Sequence, residues 1–432
     1  MKILLVNPPN CGRSIPEEQY GIDSLKQIMR AEPLSLEALA GNLDEHEVRI
    51  VDLKAQPDTF GEALAGFAPD IVGITGVTCE ANTMLKLASE VKRESEATVV
   101  VGGVHASNDP SFFNSADIDF IVAGLGKKSF RVLAEALRSG KGADEIPGVT
   151  RTNPGGSISL ARRKCSGEDL VDDKPPRYDL VNMYREHYFL ESLNLQFGLV
   201  SVAFGCPYRC SFCSIHHITG GTYLTHSTAA VLRDIRIFAD LPAVIRLVDA
   251  NTFGDAGHAR CLAGEIIKAG IKKQFVADVR SDTVVRHPDL FREWKEAGLR
   301  SVIIGFEEVD DTRLSEINKV NTVAVNTEAI EILHDIGITI IGDFIVSPDY
   351  DDRQFQSLRN YLGEHPVDLP MLSILTPLPG TPLYESMKER IAIHDLDFYT
   401  LTNAVVPTNI PEKAFYENYA DLMRSSHAGA KL

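Results

Sequence analysis

The 432-residue sequence has no uncharged apolar run long enough to cross a bilayer, which takes about 20 residues in a helix. Its first apolar stretch, Met1–Val6, is too short for a signal segment and is stopped by Asn7-Pro8-Pro9. Basic density is also lacking. The 43 Lys and Arg stand against 60 Asp and Glu, a net charge of −17, which argues against a broad nucleic-acid surface. Framework spacing of cysteines is missing too: the count is seven, and Cys11, Cys79, Cys165 and Cys261 are scattered as in proteins of reducing compartments. The expectation is a cytoplasmic protein with neither membrane nor nucleic acid as partner. With 44% hydrophobic and 24% charged residues, disorder is not the default, and the length allows two or three domains.

The remaining cysteines stand together as Cys206-x3-Cys210-x2-Cys213, directly after the apolar run Leu199–Phe204 and Gly205. A β-branched apolar run ended by glycine predicts a buried strand feeding a loop. Chemistry in open α/β sheets and barrels sits at such strand ends. Thiolates are soft ligands that select zinc, Cu(I) or iron–sulfur clusters. A closed zinc site takes four ligands, usually as two pairs, and no second pair is nearby. A [4Fe–4S] cluster held by three thiolates keeps one iron open. A zinc loop completed by His216 or His217, or three unrelated buried thiols, are the plainer alternatives.

Along the chain, strands are predicted at Lys2–Val6, Val48–Asp52, Asp70–Gly76, Thr98–Val101 and Asp119–Ala123, with helices at Pro33–Ala40, Phe60–Phe67, Asn82–Ser95 and Ser129–Ser139. Residues 11–32 read as irregular, and Gly102–His105 as a turn. This alternation predicts one doubly wound, Rossmann-like parallel sheet over residues 1–145, its ligand site outside the strand carboxyl ends. Residues 146–195, opening with a short β excursion that runs to Arg163, read as a linker. From Leu199 the alternation resumes, with strands at Ala243–Val248, Gln274–Val279, Ser301–Gly305, Thr339–Val346 and Leu369–Leu375. Six strands are too few for an eight-stranded barrel, so 196–385 is expected to form a partial barrel. Residues 386–432 read as a helical tail whose aromatics pack on it.

The octet Cys206-Pro207-Tyr208-Arg209-Cys210-Ser211-Phe212-Cys213 resembles the C-x3-C-x-aromatic-C signature of the radical SAM superfamily. Phe275–Asp282, Gly305-Phe306-Glu307-Glu308 with Asn318-Lys319, and Leu375–Tyr384 resemble further stretches of it in the same order. The resemblance implies a (βα)6 partial TIM barrel, with Cys206, Cys210 and Cys213 holding a [4Fe–4S] cluster and Phe212, Arg280 and Glu307 lining S-adenosyl-L-methionine. Tyr208, Arg209 and Asp249 are its candidates for orienting the reactants. Plainer readings stay open: Asp249 as a helix cap, Glu307 as a surface ion pair. The first domain, through Asn7-Pro8-Pro9, Pro33–Ala40 and Val99–Ser107, resembles the cobalamin-binding domain fused to many of these enzymes. By that resemblance Asn7, Pro8, Thr75, Gly76, Gly103, His105 and Gly124 contact the corrin. Departures are the Gly124-Leu125-Gly126-Lys127 stretch, where relatives often carry G-E-G-E, and the absent D-x-H-x-x-G motif that supplies a lower histidine. A flavodoxin-like domain without corrin is the alternative.

Together these features lead to the expectation of a class B type, cobalamin-dependent radical SAM C-methyltransferase acting on an unactivated carbon. The favoured instance is the Cα of a protein residue, such as a glutamine of methyl-coenzyme M reductase, with small molecules not excluded and ferredoxin or flavodoxin as electron donor. Cyclisation or oxidation without methyl transfer, or a non-catalytic corrinoid or iron–sulfur carrier, are the competing expectations.

Overall fold

A computed structural model describes residues 1–23, 31–143, 145–160, 164–190, 195–241 and 244–428. Outside these residues lie 24–30 of the irregular stretch, 144 of the first domain, 161–163 of the β excursion, 191–194 of the linker, 243 of a strand and 429–432 of the tail. The chain divides into two compact units, one of residues 1–12, 30–189 and 217–220, the other of 13–29, 190–216 and 221–432.

In the first unit, β1 (Lys2–Asn7), β2 (Glu47–Asp52), β3 (Ile71–Thr75), β4 (Thr98–Gly102), β5 (Phe120–Val122) and β6 (Val149–Arg151) form a sheet ordered β2-β1-β3-β4-β5-β6. The first five pair in parallel. Ile3, Leu4, Leu5 and Val6 are all solvent-free because helices cover both faces of the sheet, so its strands read as unbroken apolar runs. One face packs Leu36 and Ala40 of helix Leu34–Gly41 and Leu133 and Ala134 of helix Gly126–Ser139 against Ile3, Leu5 and Val100.

Three expectations are corrected here. The β excursion joins the sheet as β6, antiparallel to β5, so the sheet is not wholly parallel. The Gly102–His105 turn is the entry to a helix, Gly103–Asn108, where Ser107 Oγ donates back to the Gly103 carbonyl at 2.7 Å. Within residues 11–32, Ser14 caps a helix, Ile15–Tyr20, with Pro16 in its first turn and Gly21 left-handed at its end.

The second unit is built on β7 (Phe189–Leu190), β8 (Leu195–Val200), β11 (Val244–Leu247), β12 (Phe275–Val279), β13 (Leu299–Glu307), β14 (Thr339–Val346) and β15 (Leu369–Ile374), in the sheet order β15-β14-β13-β12-β11-β8-β7. From β8 to β15 every successive pairing is parallel. The crossover helices Thr228–Ile237, Ala256–Lys268, Val323–Ile336 and Asp352–Glu364 are each capped by a side chain, from Ser227, Asp255, Thr322 and Asp351.

The period of two decides which residues face the helices and which face inward. Phe344 stacks on Phe306 and meets Tyr361 of helix Asp352–Glu364, so Asp343, its neighbour on β14, lies on the inner face. The base of that inner face is apolar: Phe197, Val244, Val276 and Ile303. The expected helical tail is only partly helical: residues 399–411 run without helix, and the aromatics sit on one helix, Glu412–His427, that packs on the barrel. Tyr419 Oη donates to the Leu372 carbonyl of β15 at 2.8 Å, and Phe415 meets Phe355.

The expected single strand Leu199–Phe204 is broken. β8 ends at Val200, and β9 (Ala203–Gly205) turns away to pair antiparallel with β10 (Tyr223–Thr225). The break is held from outside the run. The Asp249 carboxylate accepts from Val202 N–H at 3.0 Å, Ala203 N–H at 2.9 Å and Ser201 Oγ at 3.0 Å.

Candidate active site

The loop after β9 begins at Gly205, whose φ of +89° suits glycine, and carries Cys206, Cys210 and Cys213. Main-chain bonds fix its course: Ser211 N–H donates to the Ile317 carbonyl and Leu383 N–H to the Ser211 carbonyl, both at 2.9 Å. Asn318, itself left-handed at φ +53°, donates through Nδ2 to the Arg209 carbonyl at 2.6 Å. Phe212 packs against Ile345, Leu375 and Leu383, at the carboxyl ends of β14 and β15. The side chain of Arg209 is exposed, so its contribution to the loop is this carbonyl.

Charge around the thiols is mixed. Burial raises the Cys210 thiol, and Lys319 and Arg280 pull it down; burial raises Cys213 to about 11 against the Ile215 N–H. Among the described residues no three His, Cys, Asp or Glu side chains are gathered closely enough to hold a metal ion. The fit to an iron–sulfur cluster therefore rests on donor chemistry: three free, soft thiols on one loop beside two cations.

Arg280 follows β12 and stacks on the loop, its guanidinium carbon 3.5 Å from the centre of the Tyr208 ring. Its Nε donates to Asp282 at 2.8 Å and its Nη2 to the Val320 carbonyl at 2.9 Å. Tyr208 Oη reaches the same Asp282 at 3.1 Å. Arg280 is thus buried and pre-aimed, with Nη1 left without a hydrogen-bond partner among the described residues.

At the end of β13, Glu307 takes a left-handed φ of +67° at a register shift and pairs with Lys319 Nζ at 2.7 Å. Both side chains are buried. Gly305 makes room, because a Cβ there would run into Glu307 Oε1. One layer inward, Arg246 of β11 pairs with Asp278 of β12 at 3.0 Å. Asp343 completes this charged layer, raised to about 7 by burial and by Glu307 and Asp278. Sequence reading singled out neither Asp278 nor Asp343 as site residues. The legible signal was an acid at an inward position of an otherwise apolar strand, Thr339–Val346.

Asp249 is buried, and desolvation raises it to about 7 against its backbone donors. It shapes the entry to the cysteine loop and caps no helix.

In the first unit, Thr75, Gly76, Gly103 and His105 meet at the adjacent ends of β3 and β4. A Cβ on Gly103, at φ +92°, would stand 2.5 Å from Thr75 Oγ1 and 2.9 Å from the Gly76 backbone. His105 N–H donates to the Gly76 carbonyl at 3.3 Å. Gly124, at φ +76°, follows β5 and is tied by the hydrogen bond between its N–H and Ser107 Oγ, 2.8 Å. Ser107 is a further residue that sequence reading did not single out. These ends offer backbone and few long side chains, a surface suited to a flat macrocycle. Two predicted contacts sit deeper. Asn7 is buried and donates to Asp52 at 2.8 Å. The His105 ring is fully enclosed between Phe112 and Phe113, and burial lowers it to about 4, so it is a neutral ring at neutral pH.

Residues 29–134 match the B12 binding domain and residues 200–362 the radical SAM superfamily. The chain is 30% identical over 401 residues to a hopanoid C-3 methylase of Methylococcus capsulatus, covering 90% of this chain and 75% of that protein. It is 26% identical over 386 residues to an anaerobic magnesium-protoporphyrin IX monomethyl ester cyclase of Cereibacter sphaeroides, covering 86% and 61%. In fold it resembles the radical S-adenosylmethionine methyltransferase TsrM of Kitasatospora setae, solved with cobalamin and a [4Fe–4S] cluster, with a TM-score of 0.74 at 18% identity over 100% of this chain and 92% of that one. No helix among the described residues is long and apolar enough to cross a membrane. A three-thiol loop on a partial barrel and a glycine-lined sheet end thus coincide with the two matched domains, whose cofactors are a [4Fe–4S] cluster with S-adenosylmethionine and cobalamin, and the chain belongs to the cobalamin-dependent radical SAM methyltransferases.

Proposed function

We propose that this enzyme methylates an unactivated carbon of a polar substrate held on the inner face of the barrel, the Cα of a protein residue such as a glutamine of methyl-coenzyme M reductase being the leading instance. When bound, the cluster and S-adenosylmethionine supply a carbon radical, and cobalamin supplies the methyl group. The observation carrying the choice of a polar substrate is the charged layer of Arg246, Asp278 and Asp343 above the apolar base of the barrel. Desolvated charge there disfavours a purely hydrocarbon occupant.

The chain's own residues take these roles. Cys206, Cys210 and Cys213 hold the cluster, and Phe212 backs S-adenosylmethionine. Arg280, steadied by Tyr208 and Asp282, offers Nη1 to its carboxylate, and Glu307, locked by Lys319, bounds the same space. Asp249 fixes the loop that presents the thiols. Pro8, Thr75, Gly76, Gly103 and Gly124, with the main chain of Asn7 and His105, support the corrin. A ferredoxin or flavodoxin delivers the electron.

The test is anaerobic reconstitution with methyl-labelled S-adenosylmethionine, a glutamine-containing peptide of methyl-coenzyme M reductase, and mass spectrometry. Label on a peptide carbon, with both 5′-deoxyadenosine and S-adenosylhomocysteine formed, is expected. Deoxyadenosine without S-adenosylhomocysteine would point to ring closure or oxidation, and neither product to a carrier. The identity to a hopanoid methylase favours a second reading, a polycyclic hydrocarbon substrate. Label entering a hopanoid and not the peptide would establish it.

A further inference from the structure

Two ion pairs lie on or beside the inner face of the barrel next to Asp343: Arg246 with Asp278 at 3.0 Å and Lys319 with Glu307 at 2.7 Å. Asp343 itself accepts no hydrogen bond and pairs with no cation among the described residues. It is mostly withdrawn from water, two residues beyond Ile341 toward the carboxyl end of β14. Withdrawing a carboxylate from water without a partner is costly. Fold stability gives no return for that cost here, since Gly342 and Phe344 on either side already pack the strand against its neighbours.

Resting on the polar-substrate reading above, we infer that Asp343 is the specificity-determining residue that receives a positively charged nitrogen of the substrate, of the ammonium or guanidinium class. A cation arriving there would complete the third pair of the layer and hold the neighbouring carbons at the strand carboxyl ends, on the side of the cysteine loop. A neutral group would leave the carboxylate uncompensated. The groups facing Asp343 are Asp278 and Arg246 from β12 and β11 and Glu307 and Lys319 from the end of β13 and beyond. Burial first, then Glu307 and Asp278, raise its carboxyl to about 7 against the pull of Arg246 and Lys319, so a cation should bind more tightly at pH 8 than at pH 6, where the carboxyl is mostly protonated.

The test uses the reconstituted protein and two isosteric pairs of perdeuterated probes: n-butylguanidine with n-butylurea, and n-butylamine with n-butanol. Ligand-observed titration by ²H NMR is independent of any turnover. The wild type should bind at least one cation tenfold or more tightly than its neutral partner. That preference should vanish in Asp343→Asn, or in Asp343→Ser if the first does not fold, and persist in Asp343→Glu. In the same samples, deuterium carried into 5′-deoxyadenosine should appear with the bound cation and fall tenfold or more in Asp343→Asn. Loss of 5′-deoxyadenosine altogether would count against the functional reading and leave the titration to decide this one. Equal binding of cation and neutral isostere by the wild type, or a cation preference surviving in both Asp343→Asn and Asp343→Ser, overturns the inference. So does a tenfold rise in KM for S-adenosylmethionine in Asp343→Asn, which would make the cofactor the partner.

Discussion

Glu307 holds the ammonium of Lys319 at 2.7 Å from a left-handed backbone conformation that only a fixed surrounding sustains. Removing one partner of a buried pair strands the other charge, at about 3–5 kcal/mol. Lys319→Ala should therefore lower stability in urea by about that amount, and Glu307→Gln combined with Lys319→Met should recover most of it. A double variant no better than the single one would show that the pair is not the cause.

Asp249→Ala leaves the Val202 and Ala203 N–H groups without their acceptor. Two buried donors without partners cost about 2–4 kcal/mol, and the cysteine loop begins three residues later. We expect a lower urea midpoint and slower cluster incorporation, followed by absorbance. An unchanged midpoint would remove Asp249 from the framework.

The stacking of Arg280 on Tyr208 at 3.5 Å is worth about 0.5–2 kcal/mol. In Tyr208→Leu, KM for S-adenosylmethionine should rise roughly two- to thirtyfold, with the cluster spectrum retained. A KM equal to wild type would show that Arg280 is not aimed by the ring.

Cys213→Ala should abolish both the cluster absorbance and 5′-deoxyadenosine formation, because three thiolates are the minimum donor set for an open-iron cluster. Normal activity in that variant would refute the ligand assignment.

Glu308 is buried beside Tyr350, whose hydroxyl donates to it at 2.5 Å, and burial raises its carboxyl to about 7. The folded chain therefore holds a proton here that the unfolded chain releases near pH 4.5. The associated stability, about 3 kcal/mol, is complete below that pH and is lost as pH rises through about 7. Melting temperature should fall between pH 5 and pH 8, and Glu308→Gln should flatten that slope. Parallel curves for the two proteins would exclude Glu308 as its source.

Much of this architecture is legible in the residues because both faces of each parallel strand are buried. Runs such as Ile71–Thr75 and Thr339–Val346 announce themselves without knowledge of their neighbours. The thiol loop is legible for a different reason, since its chemistry lies in eight consecutive residues. What escapes is set by partners distant in sequence. Leu199–Phe204 reads as one strand because nothing in it shows that Asp249, far along the chain, will take its N–H groups. His105 reads as a displayed ligand because the rings of Phe112 and Phe113 close over it only after Gly103–Asn108 winds into a helix. Asp343 is legible as an acid on an inner face, but its lack of a partner among the described residues depends on Arg246 and Lys319 being engaged elsewhere.

The cysteine loop's anchors at Ile317, Asn318 and Leu383 also set an order of events during synthesis. Leu383 leaves the ribosome about 170 residues after Cys213, a delay of roughly 10–30 s at ordinary translation rates. Until that interval ends the three thiols ride on a segment whose last clamp does not yet exist, open to stray metals and oxidants. Cluster delivery to this protein therefore belongs after barrel closure, and a chain truncated before residue 383 should take up iron poorly even though every ligand is present.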